Sequence, residues 1–281
     1  STWETGRLAI CTGVPGSGKS EFVDYLVVRL NLLHGWKAAF FTPENYPLKF
    51  HYSKLHEKIS GQKFGKDCEA VFYSVFEYIY NNFYYILNEE DFGINAVLDA
   101  AKSLIKQHGV RVIVLDPYNR FEHEQQKGES ETQYISKFLD KVTMFAKLYN
   151  VLIFLVAHPR KMQKGDIPTL YDISGSAHFF NKTDYGFTVH RERDEDNLMT
   201  NEVEVYWQKI KFKHLGGQGK SELRYNYNNG RFEERVSVDY WDNKCWLNIK
   251  KPEVDPDSFI EPKKEDHEIF DGQTGNTNAP F

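Results

Sequence analysis

Gly13-Val14-Pro15-Gly16-Ser17-Gly18-Lys19-Ser20 is a run whose residue types and spacing suit the binding of a nucleotide's phosphates. Its glycines let backbone N–H groups come close to phosphate oxygens, and a helix starting at its end turns a positive pole toward them. In such a loop Lys19 reaches the β- and γ-phosphates of ATP, and the Ser20 hydroxyl sits on Mg²⁺. The flanks agree. Arg7–Thr12 is a short apolar run ending at the loop. Glu21–Leu33 carries Phe22, Tyr25, Leu26, Val28, Leu32 and Leu33 at helical spacing. A glycine-rich turn ahead of a core helix is the plainer explanation, and the complete motif in a strand–loop–helix context outweighs it.

Three more polar residues follow apolar runs that read as strands. Asp116 ends Val112-Ile113-Val114-Leu115-Asp116, where a phosphate-loop enzyme needs a second Mg²⁺-facing carboxylate. Glu44, in Thr42-Pro43-Glu44-Asn45, reads either as the base that polarises an attacking water or as an acid at the start of the next helix. His158, in Val156-Ala157-His158-Pro159-Arg160-Lys161, reads either as a γ-phosphate sensor or as a structural histidine. All three fall at the C-terminal ends of strands in one inferred sheet, and that convergence favours a hydrolytic site.

Cations follow. Arg160, Lys161 and Lys164 cluster in a loop with Gly165, suited to the phosphates of single-stranded DNA. Ser174, Gly175 and Ser176 add hydroxyl and backbone N–H groups to the same strand of DNA. Lys209, Lys211 and Lys213 alternate along a predicted strand, either as a solvated face or as cations offered to a nucleotide in this subunit or its neighbour.

The elements that must hold these groups alternate through the first 190 residues. Strand-like runs are Leu8–Thr12, Ala38–Thr42, Phe83–Leu87, Val110–Asp116 and Val151–His158. Between them, helical patterns cover Leu48–Ile59, Ala70–Asn81, Ile94–His108 and Thr132–Tyr149. Apolar strands separated by helices predict an α/β fold, with a parallel sheet wrapped on both faces. After Thr183 strands dominate, at Tyr185–Arg191, Val203–Phe212 and Leu223–Tyr227, and Asn229-Gly230 signals a hairpin turn.

Composition sets the outer limits. The 281 residues carry a net charge of −5, and Ser237–Phe281, with ten acids against five bases, accounts for all of it. The expected organisation is an ATPase domain over 1–236 and an acidic extension over 237–281, disordered from about Pro252. A polyanion must then be held by local basic clusters. Cys11, Cys68 and Cys245 lie far apart and suggest neither a disulfide framework nor a zinc site, which suits a reducing cytoplasm. No apolar run approaches the ~20 residues of a membrane span, so no membrane association is expected. The chain starts without Met, one strand ahead of its phosphate loop, and reads as part of a longer polypeptide.

From about Thr5 to Glu234 the chain resembles the RecA-like helicase domain of the DnaB/Twinkle replicative helicases, and among them the Twinkle-like primase-helicases. Five segments in order carry the resemblance: Gly13–Ser20, Thr42–Asn45, Val114-Leu115-Asp116-Pro117-Tyr118-Asn119, Val156–Lys161 and Asp172-Ile173-Ser174-Gly175-Ser176-Ala177-His178. The resemblance implies a RecA-like core whose mostly parallel sheet is extended by C-terminal antiparallel strands. It implies ATP-driven unwinding of DNA by a homo-oligomer, a hexameric ring, in a bacterial cytoplasm or a phage-infected host. By similarity Glu44 is the catalytic base, Asp116 the Mg²⁺-side acid, His158 the sensor, and Arg191 an arginine near the nucleotide. Relatives place an arginine finger where this chain reads Gln208-Lys209-Ile210-Lys211-Phe212-Lys213. Lysine brings charge without the guanidinium fork, and Lys211, then Lys209, stand at the matching register. Relatives also carry a primase or primase-like half and a linker helix between subunits. Neither is visible in these residues, so a closed ring is expected of a longer polypeptide. A RecA-type recombination or signalling ATPase, and a nucleotide-gated DNA-binding module without turnover, are the alternatives.

Overall fold

Four of the apolar runs become strands with almost every residue buried: β1 (Arg7–Thr12), β2 (Ala38–Phe41), β4 (Val112–Leu115) and β5 (Leu152–Val156). Burial on both faces requires a layer of helices on each side of the sheet. One layer is α1 (Lys19–His34), α2 (Lys49–Ser60) and α3 (Glu69–Asn82); the other is α4 (Ile94–His108), α5 (Glu131–Tyr149) and the short α6 (His178–Lys182). Each layer closes over its own core, with Val23, Val27 and Phe154 in the first and Ile113, Phe138 and Leu155 in the second. The computed structural model describes residues 2–87, 93–121, 128–163, 165–173, 176–196, 198–235 and 241–248.

The remaining strands are β3 (Phe83–Tyr85), β6 (Tyr185–Arg193), β7 (Met199–Ile210), β8 (Gly219–Tyr225) and β9 (Phe232–Glu234). Among the described residues all nine strands form one sheet in the order β3-β2-β4-β5-β1-β6-β7-β8-β9. Pairing is parallel from β3 through β6 and antiparallel from β6 to β9, the mostly parallel sheet with an antiparallel extension that the resemblance implies. The order puts β1 at the centre, so the loop after it lies beside the ends of β5 and β6, with β4 one strand further. That is the switch-point position where open α/β sheets bind ligands.

Local chemistry sets the helix ends. Ser130 and Gln133 form a reciprocal capping box at the start of α5, with N–H···O distances of 3.3 and 3.0 Å. α4 buries Ile94, Val97, Leu98 and Ala101, a single helical stripe.

The structure corrects two readings. β3 is Phe83–Tyr85, shorter than the Phe83–Leu87 expected; it is an edge strand that pairs on one side alone, with Ala38–Phe40 of β2. β7 stops at Ile210, opposite Tyr185 where β6 begins, so only Lys209 of the three alternating lysines lies on the strand. Lys211 follows it, and Lys213 begins a 3-10 turn. The compact unit runs from Ser1 to Asn248, so residues 241–248 contribute to it. There the Trp246 N–H donates to Ile59 O at 2.9 Å, and its ring lies 3.7 Å below the buried Arg231 guanidinium. The tail expected from Pro252 onward lies outside the described residues. Among the described residues, no helix is long and apolar enough to cross a membrane.

Candidate active site

The phosphate loop turns back between Thr12 of β1 and Lys19 of α1, with Gly18 at φ 88°, a left-handed conformation that favours glycine. Gly13 is equally constrained. A Cβ there would lie 2.3 Å from Val189 O of β6 and 2.6 Å from Ser17 Oγ. The Lys19 ammonium donates to the loop's own carbonyls, Gly13 O at 2.8 Å and Val14 O at 3.0 Å. Burial pushes its pKa below the usual lysine value, against the opposing pull of Cys11, Asp116 and Glu44. Ser17 Oγ is buried without a hydrogen-bond partner. A nest of loop amides with an orphaned hydroxyl and a cation at its rim fits a polyphosphate.

Asp116 stands at the end of β4, its N–H bonded to Phe41 O at 2.9 Å and its carboxylate hydrogen-bonded by Ser20. Burial raises its pKa to about 6; Ser20 and Lys19 lower it, and Asp24 and Glu44 raise it further. A buried carboxylate paired with a hydroxyl and pressed by other acids fits a divalent cation. Among the described residues no set of three or more His, Cys, Asp or Glu side chains could hold a metal unaided. Mg²⁺ does not need one, because it keeps waters and phosphate oxygens in its shell.

Glu44 sits on a 3-10 turn, Pro43–Asn45, immediately after β2. Its Oε1 accepts from Arg120 Nε at 2.8 Å, a partner that the sequence does not reveal. His158 follows β5, and its N–H is 3.4 Å from Asn119 Oδ1. Burial, then the nearby Lys19, lowers the imidazole pKa, so His158 is neutral near pH 7. Its Nδ1 has no hydrogen-bond partner. Asn119 and Arg120 belong to one 3-10 turn, Tyr118–Arg120, just past Asp116, which therefore touches the segments of both Glu44 and His158. Their position directly after Asp-Pro-Tyr was the available signal.

These groups line one cavity of about 320 Å³, formed by Gly16, Gly18, Lys19, Ser20, Glu21, Glu44, Asp116, His158, Arg191, Tyr225 and Phe232. Val14 and Pro15 line the neighbouring cavity instead. Arg191 is the arginine expected near the nucleotide, and the aromatic residues around it, Tyr225 and Phe232, are ones that the sequence does not single out. The Arg191 guanidinium is 5.3 Å from the Tyr225 ring centroid and 5.5 Å from that of Tyr227, and it donates to Thr200 O and the Tyr227 hydroxyl. Flat cationic and aromatic groups beside the phosphate loop, where a Cβ on Gly18 would lie 3.8 Å from Arg191 Cδ, suit a planar base.

The other predicted cations are placed differently. Arg160 and Lys161 line the neighbouring cavity of about 820 Å³ with Arg191 and Arg193, and Arg160 is paired with Asp172 at 3.1 Å. Ser176 is 2 % exposed and its Oγ accepts from the His178 N–H at 3.3 Å, so its hydroxyl is used at the start of α6 instead of being offered to a strand of DNA. Lys164, Ser174 and Gly175 lie outside the described residues. Lys209 Nζ donates to Phe180 O and Asn181 O at 2.6 and 3.1 Å, and Lys211 Nζ lies 3.1 Å from the buried Asp184. Lys209 pairs with Gly186, about 17 Å along β6 from Arg191, so neither lysine serves the phosphate loop of its own chain.

A phosphate loop at the centre of a largely parallel sheet, facing two acids and a neutral histidine, defines a RecA-like nucleotide-binding domain. Residues 1–234 match the family described as DnaB-like helicase C terminal domain. The chain belongs to that family. It is 36% identical over 244 residues to the Twinkle homolog protein, chloroplastic/mitochondrial, of Arabidopsis thaliana, covering 82% of this chain and 34% of that protein. The chain thus spans about a third of the curated relative it matches. Two solved structures share the fold at 17% identity. One is an ATPase domain, with a TM-score of 0.69 over 83% of this chain and 86% of the other. The second is a DnaB-like replicative helicase studied with primase, with a TM-score of 0.67 over 82% and 59%.

Proposed function

We propose that this domain is the ATP-hydrolysing motor of a replicative DNA helicase. The observation that carries the reading is the meeting of Lys19, Ser20, Asp116, Glu44 and His158 around one cavity. Lys19 leaves the carbonyls of Gly13 and Val14 for phosphate oxygens and compensates their charge. Ser20 and Asp116 would hold Mg²⁺, which would supply positive charge to offset that of the phosphates. Glu44 orients the attacking water and takes its proton, with one carboxylate oxygen held by Arg120 and the other directed to the water. His158 hydrogen-bonds the γ-phosphate through its ring; its backbone adjoins Pro159 and Arg160, so loss of the phosphate is felt in the basic loop. Single-stranded DNA lies along Arg160, Lys161 and Lys164. Lys211 and Lys209, distant from their own phosphate loop, serve a neighbour's nucleotide, with Arg191 as a further cation near its own. Catalysis is then shared between subunits of a homo-oligomer, a hexameric ring in the longer polypeptide, acting with a primase domain or partner.

Steady-state ATP hydrolysis with and without single-stranded DNA, across a protein concentration series, tests this. Stimulation by DNA with a steeper than linear dependence on protein supports it; ATP and DNA binding without turnover at any concentration refutes it. The second reading, a nucleotide-gated DNA binder, is favoured by one observation. Lys209 and Lys211 both have partners within their own chain.

A further inference from the structure

The helix after the Glu44 turn is joined to the phosphate-loop helix by buried charge. α2 presents His51, Lys54 and Lys58 on one face, at helical spacing, and α1 presents Glu21 and Asp24 within the turn after Ser20. Lys58 Nζ lies 2.6 Å from Glu21 Oε2, Lys54 Nζ 2.9 Å from Glu21 Oε1, and His51 Nε2 3.1 Å from Asp24 Oδ2. The side chains of His51, Lys58 and Asp24 are 0, 1 and 4 % exposed. The His51–Asp24 approach is a charge contact misaligned for a linear hydrogen bond. On the other side of the ring, Nδ1 is 2.7 Å from the Tyr85 hydroxyl of β3. Burial pushes the Tyr85 phenol far above the usual tyrosine value, so the hydroxyl keeps its proton to donate to Nδ1, which leaves Nε2 to carry a ring proton toward Asp24. Burial works to raise the Glu21 pKa, and Lys58 and Lys54 outweigh it, bringing it down to about 2.

α2 is tied at its other end as well. Arg231 Nε donates to Lys58 O at 2.8 Å and its Nη2 to Ile59 O at 3.2 Å, carbonyls of the last turn. A Cβ on Gly230 would lie 2.8 Å from Lys58 Nζ, so the β8–β9 turn seals that ammonium in. Beside Glu44, Lys54 Nζ reaches Asn45 Oδ1 at 3.4 Å. Apolar side chains would join two helices at a smaller desolvation cost, whereas charges that must meet their partners specify one register.

We propose that Glu21, Asp24, His51, Lys54 and Lys58 form a positioning strap that sets Glu44 against the Lys19–Ser20 end of the phosphate loop. The strap governs turnover of bound nucleotide and leaves its affinity unchanged. This rests on the hydrolytic reading above, and its residues are positioning residues, acting through Glu44.

The test uses the full chain with Lys58→Met, His51→Leu and His51→Gln. It reads kcat and KM for Mg·ATP, nucleotide Kd, and amide exchange across residues 42–48. Lys58→Met and His51→Leu lower kcat at least tenfold, hold KM and Kd within threefold, and speed exchange at 42–48 at least tenfold. His51→Gln keeps an N–H for Asp24 and recovers most of kcat, which also covers the case in which His51→Leu does not fold. A kcat loss matched by an equal loss of affinity, or unchanged exchange, overturns the strap. If the unaltered chain binds nucleotide without turnover, the hydrolytic reading fails separately. Exchange at constant Kd then decides the strap, faster in Lys58→Met if it exists and unchanged if it does not.

Discussion

Asp116→Asn is expected to make the ligand-free chain more stable while abolishing its Mg²⁺-dependent binding of nucleotide. Asp116 is 7 % exposed, and burial, with Asp24 and Glu44 adding to it, lifts its pKa from 3.8 to about 6. A carboxyl whose folded pKa is raised binds its proton more tightly folded than unfolded. Stability is therefore lost as pH climbs from about 4 to about 6 and stays lost above that. The shift corresponds to roughly 3 kcal/mol once Asp116 is fully ionised. Asparagine occupies the same volume without the charge and recovers up to that amount. For a domain of this size that is a rise in Tm of roughly 6–12 °C at pH 8, shrinking toward zero at pH 4. Thermal unfolding of both proteins across pH 4–8, with and without Mg·ATP, measures it. Mg·ATP should raise Tm only for the unaltered chain. Its affinity should fall about tenfold per pH unit below about 6, because the cation competes with a proton for Asp116. An Asn variant no more stable than the parent at pH 8, or parallel pH profiles, refutes the reasoning.

Glu44→Gln keeps nucleotide binding and lowers turnover about 10²–10⁴-fold, read by binding and single-turnover assays side by side; equal loss of both would make Glu44 structural. Lys19→Ala removes the cation nearest the phosphates and abolishes hydrolysis, so near-normal turnover in that variant sinks the site assignment. Arg231→Met strips donors from Lys58 O, Ile59 O, Asp242 O and Lys244 O and is expected to cost roughly 3–5 kcal/mol. The urea midpoint reports it, and a loss below about 1 kcal/mol would show that water replaces the guanidinium at no penalty.

Much of the site was legible because its chemistry is local. The phosphate loop needs glycines, a lysine and a hydroxyl at set spacings, and those spacings are covalent. Asp116, Glu44 and His158 could be aligned because each ends an apolar run, and in a parallel sheet every such end faces the same way. What lay out of reach was pairing between segments distant in the chain. Nothing near Glu44 names Arg120, whose Nε meets it across 76 positions. Nothing in an alternating lysine pattern tells that β7 ends at Ile210 because β6 begins opposite it, which leaves Lys211 to Asp184. The pull of Trp246 and Arg231, which joins residues 241–248 to the core, was likewise hidden behind an acidic composition. The order of residues was enough to set the phosphate-loop motif, the succession of strands and helices, and the acids that line the cavity beside it, since periodicity and spacing are properties of the chain. Which cation each carboxylate meets, and which partners Lys209 and Lys211 take, came from the folded arrangement, because those contacts depend on packing across the sheet and not on distance along the chain.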